Sequence, residues 1–135
     1  MSNVRASIGV GLLLGLTLSL LMWVSASPAQ AQTTVGECQE QIDTLYGQTE
    51  TATFIGQNAE KNRDNLQAKL TNAGDKLTEG KNADAIQKLT NFRDTVAALN
   101  AQGKINPDDA NTLIIGANDA IVCITDVDTQ TPTPA

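Results

Sequence analysis

From Gln32 through Asn106 the chain has no proline, and its apolar residues recur at three- and four-residue steps, the spacing that lines one face of an α-helix. The first such stripe is Val35, Cys38, Ile42, Leu45 and, after Thr49, Ala52. Thr34 and Glu37 stand at its start with the spacing of a capping box. Phe54, Ile55 and Gly56 then mark a bend, and a second helix is expected from about Asn58, with Ala59, Leu66, Leu70, Ala73 and Leu77 on one face. Gly74 weakens the centre of that helix, and Gly80 suits the left-handed position beyond its end.

The third stripe is the most regular: Ala85, Leu89, Phe92, Val96 and Leu99, with Asn82 as the expected N-cap and Gly103 as the stop. The fourth helix has the sharpest start. Asn106 caps it, Pro107 occupies the first helical turn, and Asp108 and Asp109 set negative charge against the N-terminal dipole. Ile105, just before the cap, can staple onto Ala110. Leu113, Ile114, Ala117, Ile121 and Ile124 continue the stripe. Residues 125–135 contain Thr-Pro-Thr-Pro and no apolar stripe, which predicts a disordered tail.

Ahead of these helices, Arg5 and the apolar run Ile8–Val24 lead to Ser25, Pro28 and the small-x-small stretch Ala29-Gln30-Ala31. That is the three-part pattern of a cleaved export signal over residues 1–31. The rival reading is a retained anchor, but the run is close to the ~17-residue lower limit for a spanning helix and no basic cluster follows it. The expected product is soluble, with a bundle domain over 32–124, placed in the periplasm or secreted. Loss of Arg5 with the signal would make the net charge of −6 one unit more negative, because every acidic residue lies after the cut. Such a chain repels nucleic acid and, once the signal is gone, anionic membrane surfaces. The only tryptophan, Trp23, goes with the signal, which leaves Tyr46, Phe54 and Phe92 and makes an aromatic sugar platform unexpected. Core burial is the expected fate of Tyr46 and Phe54.

Cys38 and Cys123 decide between architectures. They sit near the start of the first helix and the end of the last, and in an antiparallel bundle those ends meet only when the helix count is even. A disulfide needs Cα atoms within about 7 Å, and an exported protein meets an oxidising compartment. The expectation is an all-α, up-and-down four-helix bundle closed by one disulfide; two free buried thiols are the alternative.

Leu66, Lys69-Leu70, Ala73 and Leu77, then Gly80-Lys81-Asn82-Ala83-Asp84-Ala85 with Lys88-Leu89 and Phe92, and finally Gly103-Lys104-Ile105, Leu113-Ile114 and Ala117, make a pattern that resembles the FIMAH-type helical module of secreted bacterial proteins. The resemblance implies an all-helical accessory unit, usually appended to larger extracellular hydrolases or surface proteins, with no catalytic residues to carry over. The expectation for this chain differs in one respect: a module that stands alone, with no enzyme attached.

Candidate chemistry is sparse. There is no histidine, the usual general base and commonest metal ligand. Ser2, Ser7, Ser19, Ser25 and Ser27 all precede the cut, and bridged cysteines offer no thiol nucleophile. Asp108-Asp109 is explained by helix capping, while Asp126 and Asp128 lack the frame of a calcium loop. Lys81 and Lys104 read as solvated loop lysines, with helix capping or anion binding as alternatives. Lys69-Leu70-Thr71-Asn72 with Asp75 echoes Lys88-Leu89-Thr90-Asn91 with Asp94, which two helices solving one packing problem explain better than a duplicated site. No cofactor or metal is expected, and the expected partner is an envelope or extracellular protein or polymer. The competing readings are a small carboxylate-dependent enzyme and a purely structural secreted protein.

Overall fold

The computed structural model describes residues 32–130. The export signal expected over residues 1–31 lies outside the described residues. Four helices follow in order: α1 (Val35–Thr51), α2 (Ala59–Thr78), α3 (Asn82–Ala101) and α4 (Pro107–Gln130). Short connections reverse the chain three times, and each helix packs on its two neighbours, while no Cα pair between diagonal helices comes within 8 Å, so α1 closes the ring against α4. This is the up-and-down four-helix bundle that the spacing predicts.

The local signals at the helix ends largely hold. At α1 the Thr34 hydroxyl accepts the Glu37 N–H at 3.2 Å, and the Glu37 carboxylate accepts the Thr34 N–H at 2.7 Å. Gly80 and Gly103 both take positive φ, +77° and +68°, so the chain turns sharply after α2 and α3 where a side chain would be strained. At α4 the Asn106 side-chain oxygen Oδ1 accepts the Asp108 N–H at 2.9 Å, and Pro107 opens the helix.

Two boundaries differ from the sequence expectation. Asn82 is the first residue of α3 and Lys81 holds the cap position, with no side-chain capping bond. The Asn82 amide instead donates to Asp128 at 3.2 Å. That contact bears on the second correction: α4 does not stop at Ile124 but runs to Gln130. Val127 continues the inward stripe one turn past Ile124 and is buried, so packing extends the helix through a stretch with weak local propensity. Residues 131–135, the rest of the expected tail, lie outside the described residues.

Ile42, Leu45, Leu66, Leu70, Leu77, Leu89, Phe92, Val96, Leu113 and Ile124 fill the centre, each at most 2% exposed. Thr49 is the buried polar residue among those described, and its hydroxyl donates to the Leu45 carbonyl at 2.8 Å, so it carries no unmet bond. Leu70 and Leu89, the matched leucines of the internal echo, are both fully buried. Packing accounts for the leucines of that echo.

Candidate interaction surface

The two ends of the bundle are fastened differently. At one end Cys38 and Cys123 form a disulfide with Cα atoms 5.6 Å apart. It joins the first turn of α1 to the last third of α4, as an even helix count requires. At the other end the α1–α2 and α3–α4 connections pair as a short antiparallel bridge. Ile55 N–H donates to the Lys104 carbonyl and Asn106 N–H to the Thr53 carbonyl, each at 2.9 Å. Phe54 and Ile105 turn inward there and plug the core.

Side chains strengthen that bridge. Asp109 accepts the Thr53 N–H at 2.8 Å, so its carboxylate holds the first loop as well as facing the helix dipole. Arg63 donates to the Ala52 carbonyl at 3.4 Å and lies 5.4 Å from the Phe54 ring centroid, a cation–π distance. Nothing in the sequence pattern marked Arg63, because its partners are backbone and an aromatic eleven and nine positions away on a preceding loop.

The carboxylates lie on the surface; none of those described is buried. The bundle therefore offers no interior acid pair of the kind that would shift acidity for catalysis between helices. Asp126 and Asp128 do not converge: Asp126 lines the groove between α1 and α4, while Asp128 accepts from Asn82. Among the described residues no group of three or more potential ligands is placed to hold a metal ion. At the α2–α3 turn Glu79 reaches Lys81 at 2.8 Å and Lys76 at 3.3 Å, an ion-pair cluster of three side chains. Hydrogen bonds from Lys81, then Lys76, hold the Glu79 carboxyl below its usual value, and Glu79 in turn raises the Lys81 ammonium. Lys81 is thus a paired turn lysine, and Lys104 contributes its backbone carbonyl to the loop bridge.

Grooves flank α1 on both sides. One, of about 540 Å³, runs between α1 and α4, with Leu45 and Gly116 at its base and Gln48, Asp119, Val122 and Asp126 along its sides. Another, of about 310 Å³, lies between α1 and α2, beside Gln39, Asp43, Tyr46, Gly74 and Asp75. Tyr46 corrects the expected burial: it is 38% exposed, whereas Phe54 is 8% exposed. Tyr46 lies one residue past the inward Leu45, and the helix turn carries it out of the core.

Residues 56–122 match the family model of the FIMAH domain. The chain carries a FIMAH-type helical module. Among curated proteins and among solved structures there is no significant match. FIMAH is a family of non-catalytic accessory domains. The match takes in α2, α3 and most of α4. The whole of α1 and Cys123 fall outside it; α1 is joined to the matched segment by core packing on α2 and α4, with the disulfide and the loop bridge fastening its two ends.

Proposed function

We propose that the protein is an exported, non-enzymatic accessory module that works by binding an envelope or extracellular protein or polymer through its helical surface. The observation that carries this reading is the disulfide-closed FIMAH bundle: a family of non-catalytic accessory domains, fastened by a bond that persists in oxidising compartments. The signal-like residues 1–31 and the surface placement of the described carboxylates support it.

The test is co-sedimentation of the oxidised protein with envelope and secreted-polymer fractions, beside a reduced sample. Saturable binding that weakens on reduction is the expected result. Absence of saturable binding in both samples would favour the purely structural reading.

A further inference from the structure

The side of the bundle formed by α1 and α4 differs from the opposite side in two independent ways. Its charge has one sign. Every lysine and arginine among the described residues lies on α2, on α3 or in the loops that follow them, while α1 and α4 carry carboxylates and no cation. The surface is also incompletely covered in apolar terms. Ile115 and Val122 are 51% and 58% exposed and lie seven residues apart, hence on one stripe of α4. Asp119 and Asp126 interleave with them at steps of four and three. This outward stripe is separate from the inward one of Ala110, Leu113, Ala117, Ala120 and Ile124, so the core does not account for it.

The groove between α1 and α4 runs beside the stripe. Gly116 lets α1 approach closely: a Cβ there would sit 2.9 Å from Leu45 Cδ1. The result is an open trough with an apolar base and carboxylates on its rim. The geometry points to this trough as the docking surface for a cationic amphipathic polypeptide segment, whose apolar side chains cover Ile115 and Val122 and whose lysines or arginines meet Asp119 and Asp126. The inference rests on the reading of the chain as a binding module and names the partner's chemistry. Opposite charge across the contact steers encounter and fixes register, and the two β-branched side chains supply apolar area that charge alone would lack. A second copy of the chain is disfavoured on this face, since a two-fold contact sets carboxylates against carboxylates. Nucleic acid and anionic lipid are repelled by the same field.

Fluorescence anisotropy on the full-length protein, disulfide intact, tests this with two labelled model peptides. Both carry leucines at helical spacing; one has lysines at the polar positions and the other glutamates. Saturable binding of the lysine peptide, weakening as salt rises, is expected, with none for the glutamate peptide. Asp119→Asn with Asp126→Asn should weaken it by about tenfold or more, and so should Val122→Ser, while Asp64→Asn with Asp84→Asn, the same charge change on α2 and α3, should stay within about twofold. All these sites are exposed, and circular dichroism of each variant confirms an intact fold.

Equal weakening by both aspartate pairs, no effect of Val122→Ser, or no binding of the lysine peptide would overturn the inference. So would a dimer in sedimentation velocity that Val122→Ser dissolves. If an envelope fraction still binds the Asp119/Asp126 variant saturably, this surface is wrong and the module reading stands; if no fraction binds even the wild type, that reading is what fails.

Discussion

The Asp109 carboxylate accepts a hydrogen bond from the Thr53 N–H at 2.8 Å across 56 positions of sequence. It therefore couples the start of α4 to the loop that ends α1, beside the two backbone bonds that pair that loop with residues 104 and 106. Replacing Asp109 with Ala should leave the Thr53 N–H to water and remove a favourable charge from the first turn of α4. The expected loss is about 1 kcal/mol, since the bond is solvent-exposed. Hydrogen exchange should locate the effect, with faster exchange at Thr53, Ile55 and Asn106 and little change in the Cys38–Cys123 end. Uniform acceleration throughout would show that the two ends are not independently fastened.

Gly74 and Gly116 both sit inside helices, and a Cβ at either would fall 2.9 Å from a side chain of α1. The two neighbours differ. At Gly74 the obstacle is the Gln39 amide, the far end of a flexible side chain that is only half-buried. At Gly116 it is Leu45, which is 1% exposed and held in the core. Alanine gains about 1 kcal/mol of helix propensity over glycine. Gly74→Ala should therefore be neutral or stabilising, because Gln39 can swing aside. Gly116→Ala must displace a packed leucine, for which overpacking costs of about 1–3 kcal/mol apply, so it should be net destabilising. Urea unfolding of the two variants decides it; the same sign at both positions would refute the distinction.

Much of this fold was legible because the helix ends carry strong local chemistry. Thr34 with Glu37, the two glycines after α2 and α3, and Asn106-Pro107 each satisfy backbone groups from residues a few positions away. The end of α4 was not legible, because Val127 and Asp128 are ordered by partners on other elements. The loop bridge escaped for the same reason: its bonds connect residues some fifty positions apart. On the surface, the exposed Ile115–Val122 stripe was written in the spacing but hidden by the richer inward stripe on the same helix. Tyr46 was misplaced because an aromatic next to a core leucine reads as core until the helix phase is fixed.

Cys38 and Cys123 are separated by 85 positions and are 0% and 5% exposed. Closing a loop of this length stabilises by about 4 kcal/mol in the chain-entropy account, a large share of a small domain's margin. Cys38→Ala with Cys123→Ala should lower the denaturant midpoint accordingly, with a small added cost for lost core volume. Because both sulfurs are shielded, mild reductant should act slowly on the native protein and quickly once denaturant opens it. Fast reduction under native conditions would mean that the α1–α4 end opens on its own.

Glu79 at the α2–α3 turn sets a weak pH dependence. Its carboxyl is held below its ordinary value by Lys81 and Lys76, so its contribution to stability is present above the unfolded value and disappears as pH falls through the folded one. Lys81, raised above 10.5 by Glu79, contributes below that value and loses its contribution as pH climbs through its folded value. Both groups are fully exposed, so the effect should be small and screened by salt. An NMR titration should show a depressed Glu79 midpoint that moves back toward the ordinary value in Lys81→Ala or at high salt. An unmoved midpoint in that variant would assign the shift to another group.

The last turns of α4 yield the most direct test of where the domain ends. Val127 is 8% exposed, and the Asn82 amide binds Asp128 at 3.2 Å across the base of α3. If these contacts order the helix past Ile124, then Val127→Ser should cost about 1–2 kcal/mol by loss of apolar burial, while Thr129→Ala, at an exposed position one residue from the end, should stay within about 0.5 kcal/mol. Truncation after Ile124 should cost at least as much as Val127→Ser, because it removes that side chain and the Asp128 partner together. It should also free the Asn82 side chain, seen as changed amide shifts at the start of α3. A truncated protein as stable as the full chain would restore Ile124 as the boundary and leave residues 125–130 without a role in the fold.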